Sequence, residues 1–389
     1  MQLNNKLGYA SGLALIQDKI PKAIYKVQPD LIGIGGICTD YHFLRDAIKV
    51  IRQTCNTPIV LGGRIVTNDR EIFNILKPDY AIVGEADTSI VELVNLLSNE
   101  VKPTPFLMEG KTPDIDSLNF PDYDTFGAQE MIDDYSLATR LLYRSSREYP
   151  RPFNIVTARG CPFNCTFCVQ LNHAIPYRAR SIDSIMEEIR VSYEKYKFNI
   201  LIILDELFVA NKKRMREFCE RLIEEKQKHN MDFDWMFQTH ANAHLDKESL
   251  ELAKKAGCYF FSYGLESASQ RVLDSMHKKT KVEQAIEAVK LAEEAKVGFG
   301  GNLIFGDPAE TVETILESLS VWDKYFRSSM VFLGHIQPYP GSELFDYCVS
   351  QGLIKDKRDY YEHIDERVYN MTSMSDGVYQ AWLNLLNQL

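Results

Sequence analysis

Long apolar runs are missing from this 389-residue chain: none approaches the roughly 18 residues that a membrane-spanning helix needs, so no membrane role is expected. No leader is expected either, because Met1-Gln2-Leu3-Asn4-Asn5 offers neither a basic n-region nor an apolar h-region after it. Basic charge is in the minority, with 44 Lys and Arg against 54 Asp and Glu and a formal net charge of −10. That balance argues against a surface built to neutralise phosphates, and nucleic acid is not an expected partner. Cysteine is sparse as well: eight in a chain of this length do not make a disulfide framework, and a reducing, cytoplasmic setting is expected. Cys38, Cys55, Cys219, Cys258 and Cys348 are scattered singly and read as small core residues. The composition, 45% hydrophobic and 25% charged, is that of a globular protein, and the length favours two or three domains.

The remaining three cysteines stand together in Ala158-Arg159-Gly160-Cys161-Pro162-Phe163-Asn164-Cys165-Thr166-Phe167-Cys168, just after a short apolar run. Thiols spaced four and then three residues apart in one loop can face a single point, and soft thiolates select iron–sulfur clusters, zinc or copper(I). A structural zinc or a fully protein-bound 4Fe-4S cluster takes four ligands. Here a fourth cysteine is absent. A cluster held by three cysteines leaves one iron open to bind a small molecule and pass it an electron. The alternative is zinc with His173, five residues past Cys168, as fourth ligand; taken alone, His173 reads as a loop histidine.

The C-x3-C-x2-C triplet, with an aromatic before its last cysteine and Thr157-Ala158-Arg159-Gly160 before its first, resembles the radical S-adenosylmethionine (radical SAM) superfamily. The resemblance implies that Cys161, Cys165 and Cys168 hold a 4Fe-4S cluster whose open iron chelates SAM. One electron then cleaves SAM to a 5'-deoxyadenosyl radical, which abstracts hydrogen from a small-molecule or natural-product substrate. It also implies an external electron donor such as flavodoxin or ferredoxin.

Upstream, a helix is expected around Leu13 to Ile24, with Pro21 a possible interruption, and then strands alternate with helices. The strands are Pro29 to Gly36, Pro58 to Gly63 and Tyr80 to Glu85, and the first helix carries Phe43, Leu44, Ala47, Ile48 and Ile51 at helical spacing. Such alternation implies a doubly wound parallel sheet. Gly35, Gly36, Gly62, Gly63 and Gly84 fall at the strand ends, where they either make tight turns or let a ligand approach the backbone. These segments resemble the cobalamin-binding domain that precedes many radical SAM domains, so cobalamin is a possible cofactor. The resemblance is incomplete: an opening strand and helix are lacking, and so is the Asp-x-His-x-x-Gly signature. Asp40-Tyr41-His42 mimics its start, but Arg45 stands where glycine belongs, and His42 reads as a helix-start residue. The expected domains are 1–100, a shortened cobalamin-binding type; 101–150, a linker rich in proline and aspartate (Pro103, Pro105, Pro113, Pro121); 151–345, a partial (β/α)6 radical SAM barrel; and 346–389, a helical extension.

The six barrel strands are placed at Asn154 to Thr157, Ile200 to Leu204, Trp235 to Thr239, Tyr259 to Tyr263, Gly301 to Phe305 and Val331 to Gln337. Parallel barrels build their sites at the C-terminal strand ends. By resemblance, Phe167, Asp205, Glu206, Gln238, Glu266, Ser267 and Gly306 are SAM-contact candidates, Phe167 through its backbone. His240, Tyr263 and Tyr339 are barrel-mouth candidates for acting on substrate. Each has a plain alternative: Glu310 with Thr311 caps a helix, and Asp205 pairs with a basic neighbour. The last helix, with Val378, Trp382, Leu385, Leu386 and Leu389, either closes the barrel or belongs to a shortened relative or fragment. The expected activity is cobalamin-dependent methylation or a related rearrangement or cyclisation, with cobalamin-independent radical chemistry as the alternative. A methylthiotransferase is disfavoured because only Cys38 and Cys55 precede the triplet, and a non-enzymatic cobalamin carrier has no need of the cluster.

Overall fold

The computed structural model describes residues 2–99, 106–133, 146–169, 176–243, 245–386 and 388. His173, Pro103, Pro105 and Leu389 lie outside the described residues. The chain forms two compact units, residues 1–113 with 167–169 and 337–369, and residues 114–166 with 170–336 and 370–389. The expected C-terminal extension is therefore shared between them, 346–369 packing with the first unit and 370–389 with the second.

In the first unit a helix, Gln2–Val27, runs uninterrupted through Pro21. Pro21 costs one hydrogen bond, and the helix continues because Ile16 and Ile20 pack on Ala47 and Val50 of the next helix, Tyr41–Thr54. That second helix buries Leu44, Ala47, Ile48 and Ile51 as their spacing requires, while Phe43 is left exposed. Four parallel strands lie side by side in chain order: β1 (Ile32–Gly35), β2 (Ile59–Gly62), β3 (Tyr80–Val83) and β4 (Phe106–Glu109). β4 falls inside the stretch read as linker; its four residues are too few to show a period amid the surrounding prolines. Between β2 and β3 two short helices form, Arg64–Asn68 and Ile72–Leu76.

The segment after residue 337 docks on this sheet's helices. Tyr361 stacks on Tyr41 and donates to buried Asp69, Tyr41 donates to Glu362, and Lys357 bridges Asp69 and Glu71. The charged stretch at Lys355 to Asp359 thus opens a docked helix, Lys357–Glu362, instead of lying free on the surface.

The second unit is a six-stranded parallel sheet, β5 (Pro152–Ile155), β8 (Ile200–Ile203), β9 (Asp234–Thr239), β10 (Cys258–Glu266), β11 (Gly298–Phe305) and β12 (Met330–His335), again in chain order. Between β5 and β8 lies a small antiparallel ribbon, β6 (Ala158–Arg159) and β7 (Arg178–Ala179). Strand alternation puts one set of residues on the helix-covered face. Trp235, Phe237, Phe261 and Phe299 form a continuous aromatic layer there, packed under helices 212–229 and 282–295. The linker residues Asp116 and Tyr123 belong to this unit: Asp116 accepts from the Ser181 N–H, and Tyr123 donates to Glu188, which is also paired with Arg180. The last helix, Asp376–Leu386, packs beside β12 through Tyr379, Leu383 and Leu386, so the buried face is one residue off the expected one and Val378 and Leu385 stay exposed.

All three tryptophans, Trp235, Trp322 and Trp382, lie in this second unit, so its unfolding can be followed by their fluorescence. Replacing the fully buried Phe261 with Ala removes the centre of the aromatic layer. We expect it to lower the unit's stability by about 3–5 kcal/mol in denaturant titrations.

Candidate active site

The triplet loop leaves the barrel from the β6–β7 ribbon, whose register pairs Ala158 with Ala179 and Arg159 with Arg178. Two carboxylates at the end of β8 hold its base. Asp205, fully buried, accepts from the Thr157 N–H at 2.6 Å and the Thr157 hydroxyl at 2.5 Å, while Glu206 accepts from the Gly160 N–H at 3.1 Å. Gln238, at the end of β9, donates to the Asp205 carbonyl at 2.9 Å. Three expected SAM contacts, Asp205, Glu206 and Gln238, therefore make one hydrogen-bonded group under the loop. Arg214 supports the same place, donating to the Arg180 and Thr157 carbonyls. Burial pushes the Asp205 carboxyl up to about 6, against the Thr157 hydrogen bonds and the nearby Arg214 charge.

Cys161, Cys165 and Cys168 are half-buried thiols, and Phe167 is half-buried beside the last. Among the described residues no three His, Cys, Asp or Glu side chains are gathered as a metal-binding group. The fit to a cluster rests instead on donor chemistry, three soft thiols within one short loop. Phe163, between the first two cysteines, stacks on His240 with ring centroids 3.8 Å apart and planes 13° from parallel. His240 is buried, and burial together with the Lys278 charge holds its imidazole down at about 3. It is neutral, and since Nδ1 accepts from the Asn242 N–H at 3.2 Å, the ring proton sits on Nε2.

At the end of β10, Glu266 adopts a left-handed backbone (φ 65°) and pairs with Lys278 at 2.9 Å, both side chains nearly buried. Glycine two residues earlier leaves this pair its room: a Cβ on Gly264 would stand 2.5 Å from the Glu266 carboxylate and 2.7 Å from the Lys278 ammonium. Ser267 meets the Ser318 hydroxyl and accepts from the Ser269 N–H, so it fastens the turn. Gly306, at the end of β11, donates to Glu310 and faces Tyr379; burial pushes Glu310 up to about 7, and Thr311 caps the following helix as expected.

One candidate is corrected. Tyr263 is not at the barrel mouth: strand alternation turns it to the helix-covered face, where it packs on Phe261 and Phe299. Tyr339 falls in the first unit, where burial raises the pKa of its phenol. Lys278 and Phe163 were not foreseen; nothing in the local pattern marks either, since their partners come from other strands.

Residues 155–321, which span this site, match the radical SAM superfamily. Those residues form a radical SAM domain. An uncharacterized methyltransferase of Pyrococcus horikoshii is 28% identical to this radical SAM protein over 359 residues, 86% of this chain and 72% of the relative. The anaerobic magnesium-protoporphyrin IX monomethyl ester cyclase of Cereibacter sphaeroides is 27% identical over 378 residues, 92% of this chain and 58% of the cyclase. Among solved structures, the radical S-adenosylmethionine methyltransferase TsrM of Kitasatospora setae superposes with a TM-score of 0.68 at 15% identity, covering 87% of this chain and 69% of TsrM. At that identity the likeness is one of fold, and it extends over both α/β units of this radical SAM enzyme. TsrM has also been solved with cobalamin and a 4Fe-4S cluster bound.

In the first unit the glycines at the strand ends bring backbone against backbone. Gly63 has φ 86°, and a Cβ there would stand 2.6 Å from the Gly36 carbonyl oxygen, so the β1 and β2 ends pack directly on each other. Gly35 and Gly62 touch in the same way, whereas Gly84 has only Gly110 near the position of an added Cβ. The tight-turn reading of Gly35, Gly36, Gly62 and Gly63 is thereby accounted for.

The raised pKa of Asp205 has a measurable consequence. Its folded value is near 6 and its reference value 3.8, so the folded state holds the proton more tightly, and stability falls as pH rises from about 4 to about 6. We expect the Asp205 contribution to fall by up to about 3 kcal/mol across that window, so the stability gap between wild type and Asp205→Asn, read from denaturant titrations at each pH, should change by that amount.

Proposed function

We propose that this radical SAM enzyme uses cobalamin to methylate, or to rearrange or cyclise, a small biosynthetic intermediate. The observation that carries the reading is that the match to a methyltransferase and to a cyclase takes in 86% and 92% of the chain, the parallel sheet of the first unit together with the barrel. An isolated radical SAM barrel would match over the second unit alone. With a cluster and SAM bound, the cofactor pair supplies the 5'-deoxyadenosyl radical; the protein's part is to bind, orient and exclude water.

Cys161, Cys165 and Cys168 are the cluster ligands in this reading. Asp205, Glu206 and Gln238 set the base of the loop that carries them, through the Thr157 and Gly160 amides and the Asp205 carbonyl. Glu266 offers a carboxylate already fixed by Lys278 for the ribose hydroxyls of SAM, with Ser267 bracing the turn. Gly306 keeps the end of β11 narrow along the adenosine. The Gly35–Gly36, Gly62–Gly63 and Gly84 rims are the surface for cobalamin. The substrate is a small molecule or natural product, and an external flavodoxin or ferredoxin delivers the electron. No helix is long and apolar enough to cross a membrane among the described residues, and the cytoplasm suits an oxygen-sensitive cluster.

The test is anaerobic reconstitution with iron, sulfide and hydroxocobalamin, followed by desalting and metal analysis. About four irons with one retained cobalt is the expected result. Four irons without cobalt would leave a cobalamin-independent radical enzyme, and zinc without iron would overturn the reading. We expect Cys165→Ala to lose the brown chromophore and all formation of 5'-deoxyadenosine while keeping the wild-type unfolding transition of the barrel unit.

A further inference from the structure

The triplet loop is held from three consecutive strand ends. β8 supplies Glu206, which takes the Gly160 N–H just before Cys161. β9 runs into His240, whose ring lies flat on Phe163 between Cys161 and Cys165. β10 leads through a short helix, Gln270–Ser275, to Met276, whose carbonyl takes the Thr166 N–H just after Cys165 at 3.1 Å. Each contact meets the loop at a different point, and together they bracket the first two thiols.

The middle contact is prepared from behind. His240 is buried; its Nδ1 takes the Asn242 N–H, and its carbonyl takes the Ala243 N–H at 2.9 Å, so the ring is set before the loop arrives. Asn242 in turn donates to the Lys279 carbonyl at 2.8 Å, in a hook where His277 and Lys279 both have left-handed backbones (φ 53° and 54°). The same hook carries Met276, which holds Thr166, and Lys278, which holds Glu266. The β9 end, the β10 end and the cluster loop are therefore coupled through four residues, 276–279.

Resting on the radical SAM reading of this site, we propose that His240 is a positioning residue: its stack on Phe163 fixes the segment between Cys161 and Cys165 in the geometry that receives the cluster, and it does not act on substrate. What the position demands is a flat neutral ring. The buried imidazole satisfies this, and a flexible or small side chain does not, because the segment between Cys161 and Cys165 would then lose this stack.

The test reads the loop directly, before any cofactor is loaded. In anaerobic apoprotein, the rate at which iodoacetamide alkylates Cys161 and Cys165 is followed by peptide mass spectrometry. A ring stack of this kind contributes enough to restrain the loop by a factor of about two to ten. His240→Ala should raise the alkylation rate by that factor, Phe163→Leu should do the same, and the double variant should be no faster than the faster single one, since both remove one contact. His240→Phe should stay within about twofold of wild type, as should the half-life of iron in its reconstituted form under chelator challenge. Wild-type alkylation in His240→Ala, full additivity in the double variant, or His240→Phe behaving like His240→Ala would each overturn the proposal. If His240→Ala does not accumulate folded, Phe163→Leu and His240→Phe carry the test. Failure of the wild type to take up iron would sink the radical SAM reading while leaving the alkylation result to stand by itself.

Discussion

A carboxyl group shut away from water ties the barrel to its chemistry. Both oxygens of Asp205 are engaged by Thr157, one through the amide and one through the hydroxyl, so the end of β8 and the start of the triplet loop form one rigid corner. Burial of a carboxyl is unfavourable unless hydrogen bonds satisfy it. Here they come from the segment that must be held. Glu206 repeats the arrangement three residues further along the loop, at Gly160. The base of the loop is consequently anchored through its amides at Thr157 and Gly160.

The same economy runs around the strand ends. Glu266 is fixed by Lys278 and by the absence of a side chain on Gly264, Gly306 by Glu310, and Ser267 by Ser318. Each of these polar groups closes a turn at the end of a parallel strand. The aromatic layer beneath, from Trp235 through Phe237 to Phe261, provides the stiff floor on which those ends stand.

Much of this was legible from residue order. The six barrel strands lie within about three residues of where apolar runs place them, because each is a short β-rich run bounded by turn residues. The three-thiol loop was recognisable because its donors are neighbours in sequence. The misreadings share a cause. β4 is four residues long and sits among prolines, and it becomes a strand only because β3 offers an edge to pair with. Pro21 stays within its helix because packing on Ala47 and Val50 outweighs the lost bond. Tyr263 differs from its neighbour Ser262 only in which way the pleat turns it, and that depends on where the helices lie.

Sequence by itself therefore determined the chemistry and the element order: which thiols form a set, that β and α segments alternate in two successive runs, and that polar and glycine residues gather at strand ends. These depend on spacing along the chain, which is local. Only the tertiary structure decided which of those residues meet. It placed His240 on Phe163, Lys278 on Glu266, Asp205 under Thr157, and the 337–369 segment with the first sheet instead of the barrel. Each of those contacts joins separate elements, and such pairings are selected by burial and hydrogen-bond satisfaction across the whole fold.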